Sequence, residues 1–151
     1  STISTSSDGS GLRCAPMGEL DRERTGACAC GSITVRAARL QRHVMQCHCE
    51  NCRRLTGNFV SAVRVHEDDV TWTDAEGRLK EFDYGYASYG FCSNCGSTLY
   101  FKAAERPEEP SIMTGLFDDA SGIELHSIWF AHEAHAYQAL DPNVPHHSGN
   151  E

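Results

Sequence analysis

Seven of the eight cysteines fall into three tight groups, and their spacing is the strongest chemical signal in the chain. Cys28-Ala29-Cys30 is followed by Gly31, and Cys92-Ser93-Asn94-Cys95 by Gly96. Cys47-His48-Cys49-Glu50-Asn51-Cys52 packs three thiols into one short segment. Thiols this close suit a soft metal ion, which takes several thiolates at ~2.3 Å and can be gripped from a single turn. They suit disulfides poorly, because a bridge wants Cα atoms ~5.5 Å apart and a strict torsion. An even number of cysteines formally allows a disulfide framework, but the chain is long for one and shows no secretion signal. Iron is the competing metal. The spacings match no ferredoxin pattern, and a colourless purified protein would dismiss it.

The two Cys-Gly turns read as metal knuckles. Each aims two sulfurs at one ion, and the glycine after the last cysteine tolerates the positive φ of such a turn. A closed structural zinc site wants four ligands, so the simplest pairing joins Cys28 and Cys30 to Cys92 and Cys95. The ion would then staple segments distant in sequence. Cys47, Cys49 and Cys52 remain, and three ligands with an open fourth position are the arrangement of a catalytic zinc. The competing reading is a second structural site whose fourth ligand is His48, His43 or a more distant histidine. His48 lies between two ligands, so its side chain should point away. Cys14 stands in a segment rich in Ser, Thr and Gly and reads as a bystander.

Short strands must position these groups. Ile33, Val35 and Ala37 alternate with polar neighbours. In the next strand Phe59, Ser61, Val63 and Val65 share one side, and Val60, Ala62 and Arg64 the other. Val70–Thr73, Leu79–Tyr84, Ser97–Lys102, Ile112–Gly115 and Ile123–Phe130 complete the set, with Asp74–Gly77 as a turn. Short strands punctuated by turn signals predict a mainly antiparallel β domain. A helical turn over Asn51–Leu55, stopped by Gly57, would direct backbone N–H groups at the neighbouring thiolates. Ala131–Leu140 is a second helix candidate. Pro142 and Pro145 break regular structure, and His146-His147 reads as part of a frayed end.

The chain of 151 residues fits one domain. Residues 1–24 read as a flexible arm, 25–140 as a zinc-binding β domain and 141–151 as a C-terminal tail. A formal charge of −8 and the lack of any Lys/Arg run longer than two argue against nonspecific nucleic-acid binding. No stretch approaches the ~20 apolar residues that span a bilayer. With free thiols to protect, a soluble protein of the cytoplasm is expected.

These motifs line up as Gly26-x-Cys28-x-Cys30-Gly31-x-Ile33, then Cys47-His48-Cys49-x-x-Cys52-Arg53-Arg54-Leu55-Thr56-Gly57, then Phe91-Cys92-x-x-Cys95-Gly96-Ser97-x-Leu99, then Gly115-Leu116-Phe117-Asp118-Asp119. The combination resembles the glutathione-dependent formaldehyde-activating enzymes, which include S-(hydroxymethyl)glutathione synthases, from about Thr25 to Phe130. The resemblance implies a β-tent of short antiparallel sheets held at their ends by a structural zinc, with one or two short helices. It puts that zinc on Cys28, Cys30, Cys92 and Cys95 and the catalytic zinc on Cys47, Cys49 and Cys52, two ions per chain. It implies a carbon–sulfur lyase that joins glutathione to formaldehyde. The chain departs from the family at Tyr89-Gly90, where many members carry a basic residue, and over Ala131–Tyr137, where many have Trp and then Leu-Pro.

Around the open site, His48 and Glu50 are candidate proton carriers, and Arg53 and Arg54 are candidate partners for a substrate carboxylate. Arg64 is a weaker candidate. Asp118 and Asp119 should form a turn. Trp72, Trp129, Tyr84 and Tyr100 should belong to the core. The leading expectation is a zinc enzyme making or breaking a C–S bond between a small thiol, such as glutathione, and an aldehyde. The alternatives are the same chemistry on another thiol adduct, and a zinc-stabilised binding module without turnover.

Overall fold

The computed structural model describes residues 17–149. Cys14 lies outside them. Among the described residues the chain is mainly β. A three-stranded sheet has the order β1-β2-β5, formed by β1 (Arg24–Ala27), β2 (Thr34–Ala37) and β5 (Val70–Thr73). The larger sheet contains β3 (Arg42–Cys47), β4 (Val60–Arg64), β6 (Leu79–Asp83), β7 (Ala87–Cys92), β8 (Thr98–Ala103), β9 (Ser111–Met113), β10 (Leu125–Trp129) and β11 (His146–His147). Its order is β11-β10-β3-β4-β9-β8-β7-β6. This is the β-tent expected: two sheets, with the four-cysteine group where their turns meet.

Two features depart from the sequence reading. The pairings are antiparallel except at β10, which runs parallel to both β3 and β11. The expected tail therefore supplies a strand, and the His147 ring stacks on Trp129 with centroids 4.0 Å apart. Part of the segment expected as an arm carries regular structure. Residues 17–24 carry a short helix, α1 (Met17–Leu20), which delivers Leu20 into the core.

Alternation explains how the sheets bury their faces. Ile33, Val35 and Ala37 all point inward and are essentially inaccessible. Val35 and Ala37 meet Val63, Val65 and Ile112 between the two sheets. The other side of β4, with Val60, Ala62 and Arg64, faces a cavity. A second apolar cluster surrounds Cys47 and Cys52, and a third surrounds Cys28 and Cys92. Each thiol group thus sits at the edge of its own hydrophobic cluster.

Gly26 is where the chain's return path touches β1. It bridges to Phe117, and a Cβ built on it would stand 2.0 Å from the Leu116 carbonyl oxygen. Backbone cannot swing aside as a side-chain tip can. Gly26→Ala is therefore expected to cost about 2–3 kcal/mol, read as a lower urea midpoint at unchanged slope. An unchanged midpoint would refute this close approach.

Candidate active site

The two knuckles have the same local build. Gly31 and Gly96 both take φ of 81°. The Gly31 N–H donates to the Cys28 carbonyl at 3.0 Å, and the Gly96 N–H to the Cys92 carbonyl at 2.7 Å. One knuckle joins β1 to β2 and the other β7 to β8, so each sheet contributes a turn. The four sulfurs of Cys28, Cys30, Cys92 and Cys95 lie within 4.8 Å of one another. Cys28 and Cys30 are 3.6 Å apart at sulfur, and Cys30 and Cys92 3.8 Å. A tetrahedral ion with ~2.3 Å metal–sulfur bonds sets its sulfurs ~3.8 Å apart, whereas a disulfide needs ~2.05 Å. The set fits an ion and not a bridge. Ser32 and Ser97 hydroxyls lie 3.1 and 3.2 Å from the Cys30 and Cys95 sulfurs. Hydrogen bonding from Ser32 pulls the Cys30 thiol down to about 5, toward the thiolate that a metal takes.

Cys47, Cys49 and Cys52 form the second group, again with sulfurs within 4.8 Å. Cys47 ends β3. Cys49 is the N-cap of the helix α2 (Glu50–Thr56), and its sulfur accepts the Cys52 N–H at 3.5 Å. Gly57 closes α2 at φ 89°, with its N–H on the Arg53 carbonyl, as the sequence predicts. Hydrogen bonds from Cys47 and then Cys52 hold Cys49 low, near 2, while the hydrogen bond to Cys49 pushes Cys47 well up. Three thiols this close form a donor set that suits a soft metal ion.

The three sulfurs stand on the wall of a cavity of about 180 Å³, far beyond the ~10–15 Å³ that one water needs on that measure. Met45, Val60, Ala62 and Phe101 give it apolar sides. Tyr86 and Tyr89 bring hydroxyls to the thiol end. The Tyr89 hydroxyl is 3.3 Å from the Cys52 sulfur. The Tyr86 hydroxyl accepts a hydrogen bond from Asn51 Nδ2 at 2.5 Å. Burial raises both phenols, so both remain protonated donors. Arg42, Arg64 and Arg106 also line the cavity, with Glu105 and Glu109.

The anticipated helpers lie elsewhere. His48 points away from the thiols, as its position between ligands predicts. It is 1% exposed, its Nε2 faces Gln46 Oε1 at 3.2 Å, and its ring lies 5.0 Å from Phe59. Glu50 is exposed and pairs with Arg54 at 3.0 Å. Arg53 reaches His135 Nε2 at 2.9 Å. None of these four lines the cavity: α2 points Cys52 inward, leaves Arg54 exposed and holds Arg53 half-buried against His135. Arg64, the weaker expectation, does line it. Trp72, Trp129, Tyr84 and Tyr100 do not, and Trp72 packs on Tyr100 in the third cluster. Asp119 caps a turn through the Ser121 N–H.

The departures from the family pattern have structural counterparts. The volume above Gly90 is filled by the Tyr100 ring, 2.3 Å from where a Cβ would sit, so no longer side chain fits there. Of Ala131–Leu140 only Ala131–Glu133 is helical, as one 3-10 turn. The segment is drawn over α2 instead, with Glu133 accepting the Glu50 N–H and Tyr137 reaching Asn58. Tertiary contacts override the helical propensity of its alanines.

The sequence profile of the glutathione-dependent formaldehyde-activating enzyme family matches residues 23–133. An uncharacterized lyase of Schizosaccharomyces pombe is 32% identical over 80 residues, covering 52% of this chain and 57% of the lyase. The chain thus spans little more than half the length of that relative. A crystal structure of a Rhodobacter sphaeroides protein superposes with a TM-score of 0.54 over 81% of this chain and 98% of the other, at 20% identity, which speaks to the fold alone. Among the described residues no helix is long and apolar enough to cross a membrane.

Proposed function

The chain belongs to the glutathione-dependent formaldehyde-activating enzyme family, and from that premise we propose that it forms or cleaves a C–S bond between a small thiol and an aldehyde at the Cys47, Cys49, Cys52 end of the cavity. The observation that carries this reading is a three-thiol group opening onto a cavity, with no fourth His, Cys, Asp or Glu ligand beside it among the described residues. A pure scaffold needs no open ligand position. Glutathione and formaldehyde are the pair that the family's description supports.

Zinc suits both donor sets, four thiolates on Cys28, Cys30, Cys92 and Cys95 and three on Cys47, Cys49 and Cys52. At the open site it would supply a position where a substrate thiol stays deprotonated yet nucleophilic. The protein's own groups do the rest. Met45, Val60, Ala62 and Phe101 keep bulk water from the reacting sulfur. The Tyr89 hydroxyl donates to Cys52 and fixes that ligand's orientation, as hydrogen-bond partners of metal ligands do. When the thiolate sulfur adds to the aldehyde carbon, the C–S bond forms and the C=O electron pair moves to oxygen. The Tyr86 hydroxyl, held by Asn51, donates the proton that oxygen takes. The phenolate left behind regains a proton in place of the one the substrate thiol released on becoming the thiolate, so the cycle is proton-neutral, and cleavage retraces the same transfers in the opposite order.

Exchange NMR on glutathione and formaldehyde tests this reading, with rates compared because the adduct also forms spontaneously. Zinc-loaded protein is expected to accelerate exchange, and Tyr86→Phe to lower the gain by about 10²-fold. Exchange no faster than background would remove this substrate pair, and full activity in Tyr86→Phe would remove the phenol from the proton path.

A further inference from the structure

The end of the cavity away from the thiols is lined by arginines, and the route by which they arrive there is unusual. On β4, Val60, Ala62 and Arg64 share the cavity face by simple alternation. On β3 the cavity residues are Arg42, Met45 and Cys47, a spacing that alternation forbids. The register of β3 on β4 shifts between Arg42 and Met45, and this irregularity turns Arg42 onto the face of the thiols. Arg42 then stands directly opposite Arg64 in the ladder. Like charges facing across a pair destabilise a sheet. Arg106 enters from the turn after β8. Arg42 is 7% exposed, its Nε donating to the His43 carbonyl at 3.1 Å and its Nη2 to the Ala62 carbonyl at 3.2 Å. Burial, with Arg64 and Arg106 beside it, pulls its pKa down to about 9.

The structure assigns Arg42, Arg64 and Arg106 to binding a carboxylate of the thiol substrate, at the far end of the cavity from Cys47, Cys49 and Cys52. The assignment rests on the reading that the substrate's sulfur meets the cysteine end. Three arginines against Glu105 and Glu109 leave one net positive charge on that part of the lining, which matches a monoanion. Guanidinium groups take carboxylates with two parallel hydrogen bonds, and charge-assisted bonds of this kind are about twice as strong as neutral ones. The span is set by the sheet. Cys47 pairs with Val60 and Arg42 with Arg64, so the two rows are four residues apart on β4, roughly 13 Å. The reach of the arginine side chains shortens that distance for the ligand. The substrate favoured by this lining is therefore a thiol whose carboxylate lies several bonds from sulfur, long enough to reach Arg64 and Arg106 from the cysteine end.

Calorimetric titration of the zinc-loaded full chain tests the assignment without turnover. The probes are 8-mercaptooctanoate, 8-mercaptooctanol and the short 3-mercaptopropionate. The long acid is expected to bind at least about tenfold more tightly than the alcohol of equal length. The short acid should lack that advantage. Arg64→Gln and Arg106→Gln should each remove most of the preference while leaving alcohol affinity unchanged. Arg106 lies in a turn, so its variant keeps the test open should the strand variant fold poorly, and circular dichroism with metal content verifies both. Equal affinity for long acid and alcohol, or a preference that survives both variants, overturns the assignment. A preference found in protein that does not accelerate thiol–aldehyde exchange would uphold the arginines and sink the reaction.

Discussion

Replacing Cys49 with serine is expected to drop the proposed thiol–aldehyde exchange to the spontaneous background, a loss of at least about 10²–10³-fold, while the fold persists and the four-cysteine group keeps its ion. The substitution is informative because it separates two roles of one side chain. Cys49 caps α2 by accepting the Cys52 N–H. Serine is among the best N-cap residues, so α2 keeps or improves its first turn. Cys49 is only half-buried, whereas Cys47 and Cys52 sit inside the second apolar cluster, where a hydroxyl would bring a desolvation penalty. What serine removes is the soft donor, and with two thiolates left the open site should lose its ion. Metal analysis should fall from two zinc per chain to one, with circular dichroism and thermal midpoint near those of the parent. Activity retained by a one-zinc variant would take the three-cysteine group out of the mechanism.

Stripping the ion proposed for the four-cysteine group is expected to unfold the protein. The knuckles hold the β1–β2 turn against the β7–β8 turn, and Cys28 and Cys92 are 4% and 0% exposed. Structural zinc contributes about 10–16 kcal/mol of apparent folding free energy in small domains, against a typical net stability of about 5–15 kcal/mol. Losing the ion leaves little or nothing. Graded chelation is expected to show two stages. The three-ligand ion leaves first, abolishing activity with no change in near-ultraviolet circular dichroism. The four-ligand ion leaves later, together with the loss of the tertiary signal. Cys92→Ser should reproduce the second stage by failing to accumulate as a folded protein. Release of both ions with an unchanged melting curve would show that the four-cysteine group contributes nothing to the fold.

The two regions differ in how early they are legible. The cysteine groups could be read directly, because a one- or two-residue gap fixes how far apart two sulfurs can lie. The pairing of the knuckles followed from ligand number alone. Gly31, Gly57 and Gly96 were equally plain, since each ends a turn that requires positive φ. The helpers were not. Arg53 and Arg54 are close to the thiols in sequence, but once α2 extends from Glu50 to Thr56 its period takes them off the cavity face, Arg54 into solvent and Arg53 toward His135. Tyr86 lies in the turn between β6 and β7 and Arg106 in the turn after β8, and turn residues carry no periodicity that would announce the face they serve.

The sequence by itself determined the two cysteine sets that could hold metal, the helix beside the thiols, the alternation of β2 and β4 and the family, because all of these depend on spacings of a few residues. Only the tertiary structure decided that β10 enters parallel between β3 and β11, that the 131–140 segment lies across α2 as turns, and that a register shift in β3 turns Arg42 toward the thiols. The physical reason is range. Ligand spacing and turn φ are local, whereas strand order, register and the face a bulged residue takes are settled by contacts between segments tens of residues apart.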